Sequence, residues 1–257
     1  MTAAVRFSVF STGSMTSPLG GFLEGEMGDL TYPVPMFVIE HPRGTVVVDT
    51  WLHRDLTADP TRLGALQGTF RVDLAADGSD TAGPLLERAG IDPTDVGHVV
   101  LTHLHFDHAG GLADFPNARL VVQAEEWAAR GDETLVAAGA YNPDDFELGL
   151  DRLELDGDHD LFDDGTVTCL LTDGHTAGHQ SVRVRTADGV FVICGDCCYL
   201  RRTLLDDHLP PLAVDRERQR LAIRRMAAEQ AHGATLVFGH DPFQWADITS
   251  RGLRPGI

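Results

Sequence analysis

The stretch Thr102-His103-Leu104-His105-Phe106-Asp107-His108-Ala109-Gly110-Gly111 constrains this chain more than any other. Three histidines and an aspartate fall within six residues, directly after the apolar run Val99-Val100-Leu101. In an extended backbone, residues two apart point to the same side. His103 and His105 can therefore grip one cation together. Asp107 and His108 come where the chain must turn, and they face a second cation. Gly110 and Gly111 are expected to permit a tight bend into the next segment. A polar surface loop that happened to be rich in histidine would not account for the partners downstream.

Those partners recur in one kind of place. His179 follows a predicted strand over 166–171, Asp196 follows one over 190–194, and His240 follows one over 235–238. In layered α/β folds the residues beyond strand ends form one rim of the sheet, where active sites gather. Together these strand ends deliver five histidines and two aspartates to one rim. That donor mix suits two divalent ions per chain, most simply zinc, with manganese, iron or cobalt as alternatives. The expected assignment is His103, His105 and His179 on one ion, Asp107, His108 and His240 on the other, and Asp196 between them. His175 is read as structural support in the His179 loop. Asp49, at the end of a strand over 45–48, is read as a hydrogen-bonding support to the site. His208, in an acidic loop, is a candidate substrate contact. His41, His53, His98, His159 and His232 read as surface residues, and Cys169, Cys194, Cys197 and Cys198 as packing residues.

The rest of the chain is ordinary for a folded protein of 257 residues, with 43% hydrophobic and 23% charged residues. Strands are predicted over 5–10, 34–39, 45–48, 99–101, 119–123, 166–171, 181–185, 190–194 and 235–238. A Gly-rich loop is predicted over 11–32 and irregular chain over 51–80. Helices are predicted over 85–89, 124–130 and 215–232, the last with Leu221, Ile223, Met226 and Ala227 inward. No apolar run approaches the ~20 residues that span a bilayer. The start lacks the pattern of a signal peptide, so a cytoplasmic location is expected. All twenty basic residues are arginine, and the net charge of −19 opposes binding to a polyanion such as nucleic acid. The arginines from Arg216 to Arg225 alternate with acidic residues and read as a solvated helix face.

The order and strand-end setting of His103, His105, Asp107, His108, His179, Asp196 and His240 resemble the ligand pattern of the metallo-β-lactamase superfamily over essentially the whole chain. The resemblance implies an α/β class αββα sandwich of two pseudo-symmetric halves, as a single domain over 1–257. Within the superfamily the chain most resembles the N-acyl homoserine lactonases, the quorum-quenching enzymes. That likeness rests on His103 to Gly111, Gly178-His179-Gln180-Ser181, Tyr199 three residues after Asp196, and Phe238-Gly239-His240-Asp241. Gly68-Thr69-Phe70 resembles a stretch lining their acyl-chain pocket, which makes Phe70, Leu66 and Phe106 candidate substrate contacts.

The resemblance implies a small-molecule lactone as substrate, opened by a hydroxide held between the two ions. Tyr199 would stabilise the developing oxyanion, and Asp107 would carry a proton to the leaving ring oxygen. The chain departs from the pattern at Trp51, where the superfamily usually has glycine. It also matches poorly over 11–32 and 140–160. Those segments would shape the pocket, so a pyridoxolactone- or γ-butyrolactone-type ring, or a thioester, is the alternative substrate. A non-catalytic metal-binding scaffold is disfavoured by the complete ligand set.

Overall fold

The computed structural model describes residues 5–205 and 209–252. β1 (Arg6–Pro18) and β2 (Asp29–His41) form a long antiparallel hairpin, and β3 (Gly44–Val48) turns back beside β2. β4 (Arg71–Asp73) pairs with the far end of β1. β5 (Val96–Val100), β6 (Arg119–Gln123) and β7 (Arg152–Leu155) add in parallel to β3, giving a seven-stranded sheet of order β4-β1-β2-β3-β5-β6-β7. The second sheet holds β8 (His159–Asp160), β9 (Val167–Leu171), β10 (Gln180–Thr186) and β11 (Gly189–Ile193), all antiparallel, and β12 (Thr235–Val237), parallel to β11. The helices are α1 (Ala82–Arg88), α2 (Phe106–Ala109), α3 (Ala124–Ala129), α4 (Glu133–Ala137), α5 (Pro143–Phe146), α6 (Arg201–Leu205), α7 (Arg216–Ala231) and α8 (Pro242–Arg251).

The two halves repeat one unit. A hairpin, β2-β3 or β10-β11, is followed by a crossover with a helix, α1 or α7, and then by a strand parallel to the hairpin's second strand, β5 or β12. Strand alternation then builds the layers. Val46 and Val48 face inward against Val182 and Ile193 of the other sheet. Val47, between them, faces outward under Leu86 of α1 and Trp127 of α3. β3 is thus apolar on both faces, as a central strand should be. On the far side Leu170, Val192 and Leu236 lie under Ala222 and Met226 of α7. The result is helix, sheet, sheet, helix: the expected αββα sandwich.

Two expectations are corrected. Residues 11–32 are largely strand, not loop. Their Ser-, Thr- and Gly-rich composition hides the pairing, which runs to Pro18↔Asp29 with a register shift between Ser11 and Ser14. In α7, Leu221 is 60% exposed and Ala227 is also exposed, while Gln219, Ala222, Ile223 and Met226 turn inward. That face keeps helical spacing but begins with a polar residue. The Gln219 amide donates to the main-chain oxygens of Asp196 (3.3 Å) and Cys197 (2.7 Å), which offsets its burial. The same contact fixes the turn that carries Asp196.

Candidate metal centre

The cluster leaves β5 at Thr102, whose N–H donates to Asp49 Oδ1 (2.7 Å) and whose hydroxyl donates to Oδ2 (2.9 Å). His105 is extended, and α2 begins at Phe106. Gly110 and Gly111 have ordinary φ values of −61° and −93°. They are required by close packing, which corrects the expected bend. A Cβ at Gly110 would stand 2.3 Å from His53 N, and one at Gly111 2.1 Å from Thr50 O.

Two groups of donor atoms form. His103, His105, His175 and Asp196 offer atoms within 4.8 Å of one another, and Asp107, His108 and His240 form a second such group. Asp196 lies between them. Its Oδ2 is 3.7 Å from His103 Nε2 and 3.5 Å from His175 Nε2. Its Oδ1 is 3.4 Å from His108 Nε2 and 3.2 Å from His240 Nε2.

The structure does not bring His179 into either group; His175 takes the place expected for it. His175 Nε2 lies 3.3 Å from His103 Nε2 and 3.1 Å from His105 Nδ1. Both nitrogens of His179 are already engaged. Nε2 accepts from Asp196 N–H (2.9 Å), and Nδ1 lies 3.1 Å from the Thr172 carbonyl oxygen. His179 directly precedes β10 and is wholly buried, where its Nε2 supports the Asp196 turn.

Three of the remaining imidazoles, those of His108, His240 and His175, are held by Nδ1. Asp49 Oδ2 is 2.8 Å from His108 Nδ1, the Pro33 carbonyl oxygen is 3.0 Å from His240 Nδ1, and Tyr199 Oη is 3.2 Å from His175 Nδ1. An Nδ1–H donated outward leaves Nε2 with its lone pair directed inward. The buried Nε2 of His108 and Oδ1 of Asp196 have no hydrogen-bond partner. Unsatisfied buried acceptors facing one another fit divalent cations between them. Burial holds His103, His105 and His175 below the ordinary imidazole range, so they are neutral and ready to ligate. For His108 and His240 burial also opposes charge, but Asp196, with Asp49 and Asp107 at His108 and Asp107 at His240, outweighs it and draws positive charge into this half. Burial likewise opposes charge on Asp196, yet His108 and His240 hold its carboxyl far below the usual range.

The site floors a cavity of about 360 Å³ walled by Phe22, Tyr32, Leu66, Phe70 and Phe106. Phe70 and Phe106 meet edge to face at 5.5 Å. Tyr199 is buried, stacked on His240 at 5.7 Å, with its hydroxyl at the His175 side. His208 lies outside the described residues. The cysteines pack under α7 or between the sheets, and none belongs to either donor group. His41 and His98 are not simple surface residues, since both rings pack against Phe162 at 3.9 Å and 5.8 Å. Sequence reasoning passed over Glu126 and Tyr141, a buried pair behind the first group (2.7 Å); Glu126 sits beside the exposed Glu125 and nothing in the sequence separates the two.

Residues 30–240 match the sequence profile of the metallo-beta-lactamase superfamily. The chain belongs to the metallo-beta-lactamase superfamily. It is 34% identical to the N-acyl homoserine lactonase AttM of Rhizobium radiobacter, over 88% of each chain. It is 31% identical to the N-acyl homoserine lactonase AttM of Azorhizobium caulinodans, over 94% of this chain and 95% of that one. The fold also superposes on an N-acyl homoserine lactone hydrolase solved with N-hexanoyl-L-homoserine at its catalytic metal centre, with a TM-score of 0.83 at 24% identity over 96% and 97% of the two chains. The superfamily expectation for the sandwich is met.

Proposed function

We propose that this metallo-beta-lactamase-fold chain is a hydrolase that opens the ring of an N-acyl homoserine lactone, a quorum-quenching activity. The observation that carries the reading is the pair of donor groups sharing Asp196 beneath an apolar cavity, with a phenol at its edge. The lactonase relatives at 31–34% identity support it. Two bound divalent ions, zinc by their imidazole and carboxylate donors, would supply Lewis acidity and a nucleophile near neutral pH. Their ligands in this reading are His103, His105 and His175, then Asp107, His108 and His240, with Asp196 facing both. When His175 Nδ1–H donates to Tyr199 Oη, the phenol O–H remains free to donate to the carbonyl oxygen as charge develops there. Asp107, buried but lining the cavity, carries the proton to the leaving ring oxygen. Phe70, Phe106 and Leu66 receive the acyl chain and exclude water. One domain over 1–257 and action in the cytoplasm complete the reading; four buried free cysteines suit a reducing compartment.

The test is a panel against the metal-loaded protein: N-acyl homoserine lactones of several chain lengths, γ-butyrolactone, 4-pyridoxolactone and an acyl thioester. The reading expects the homoserine lactones to have the highest kcat/KM, and a chelator to abolish turnover. Faster turnover of pyridoxolactone or the thioester would overturn it.

A further inference from the structure

Glu126 is wholly buried in the first turn of α3. Its carboxylate meets three donors from three separate segments. Leu104 N–H (2.9 Å) and the Tyr141 hydroxyl (2.7 Å) donate to Oε1, and Gly178 N–H (3.0 Å) donates to Oε2. A buried carboxylate is costly unless such donors replace its water. Each donor is next to a ligand of one group. Leu104 stands between His103 and His105. Tyr141 forms a backbone bridge to His105, and their rings lie 5.5 Å apart. Gly178 closes the loop that carries His175, and a Cβ there would stand 2.3 Å from Glu126 N, so glycine lets the loop seat against α3. The other group is held elsewhere, by Asp49 on His108 and by the Pro33 carbonyl on His240.

We propose that Glu126 is a positioning residue that sets the spacing of His103, His105 and His175, and so governs cation affinity in that half of the centre alone. The inference rests on the two-cation reading above. Glu126→Gln is the direct probe. An amide offers one oxygen and one NH₂. With its oxygen on Leu104 and Tyr141, the NH₂ faces Gly178 N–H, donor against donor. The His175 loop then loses its anchor, while the Asp107, His108 and His240 half keeps its own.

Zinc binding is measured by competition with a chromophoric chelator, on wild type, Glu126→Gln, His175→Ala and the double variant. One equivalent should weaken about 10- to 100-fold in Glu126→Gln, with the other within twofold of wild type. In the His175→Ala background the same change should leave the remaining equivalent unaltered. A merely structural role would weaken both halves together or lower the melting temperature alone, and either result overturns the proposal. Should Glu126→Gln fail to fold, Tyr141→Phe decides in the same titration. A loss of threefold or more confined to one equivalent supports the proposal; an equal loss or none overturns it. Fewer than two equivalents in wild type would sink the two-cation reading, and the inference with it. Two equivalents that weaken equally would sink the inference alone.

Discussion

His108 Nδ1 lies 2.8 Å from Asp49 Oδ2, a contact that ties the end of β3 to the helical turn after β5. Asp49 reaches it from a left-handed backbone, with φ at +57°, which a non-glycine residue adopts at some cost. The conformation is secured by its N–H on the Val100 carbonyl oxygen (2.9 Å) and by the two bonds from Thr102. One carboxylate therefore fixes both the path of residues 102–103 and the tautomer of His108.

Asp49→Asn tests that role. Asparagine tolerates the left-handed backbone, but its NH₂ cannot accept from His108 Nδ1–H. The imidazole then favours the other tautomer, which places the proton on Nε2. Affinity for one metal equivalent should fall about 10- to 100-fold, the range for lost support to a ligating histidine. Asp49→Ala also strands buried donors and should cost about 2–4 kcal/mol of stability. Metal competition and denaturant unfolding measure the two effects, and unchanged affinity in Asp49→Asn would refute the tautomer argument.

His175 and His179 should part company on mutation. His175→Ala removes a side chain whose Nε2 faces the donor group, so bound metal should drop by one equivalent with little loss of fold stability. His179→Ala breaks the bond from Asp196 N–H and the buried contact to Thr172. It should destabilise the metal-free protein by about 1–3 kcal/mol. Elemental analysis and unfolding of both variants read this out; loss of a metal in His179→Ala with two retained in His175→Ala would reverse the assignment.

The confusion of these two histidines shows what the sequence could tell. Every strand that delivers a donor was legible, because buried strands read as apolar runs: Val46 to Val48, Val99 to Leu101, Phe191 to Ile193. The clustering of polar residues at their ends was legible with them. Which ring nitrogen stays free was not, because that depends on contacts formed across the fold, such as His179 with Asp196 N–H. Gln219 was misleading for a related reason. It belongs to the inner face of α7 by hydrogen bonding rather than by hydrophobicity, so an apolar pattern places Leu221 inward instead. The arms of β1 and β2 escaped notice because serine, threonine and glycine carry little strand signal until a partner strand is present.

Acid should weaken the metal-free fold partly through His179. Burial lowers its pKa from 6.5 to about 3. The unfolded chain takes up that proton below 6.5 and the folded chain does not, so stability is full above 6.5 and falls as the pH drops. Between about pH 7.5 and about pH 5 the contribution is about 2 kcal/mol. His179→Gln removes this titration, while His103, His105 and His175 titrate in both proteins and cancel. Urea unfolding at the two pH values should therefore show a smaller loss in the variant by about that amount. Parallel losses would mean that His179 is not held neutral by burial.

In the proposed reaction Tyr199 is the residue that would separate a lactonase from other metal hydrolases. Its hydroxyl is 3.2 Å from His175 Nδ1, close to the group facing Asp196 Oδ2. If the phenol donates to the carbonyl oxygen as charge develops, that bond is stronger in the transition state than with bound substrate. Loss of an oxyanion donor costs ~10²–10³ in rate where no other group shares the charge; a cation held by the adjoining group would share it, so roughly ten- to a hundredfold is expected. Tyr199→Phe should lower kcat by that factor and change KM much less. Two metal equivalents should remain bound, because the ring still stacks on His240 and the phenol is not among the donor atoms. Measuring kcat, KM and bound metal together on one homoserine lactone separates the roles. A normal kcat would reduce Tyr199 to a packing residue, and loss of a metal would make it chiefly a support for His175.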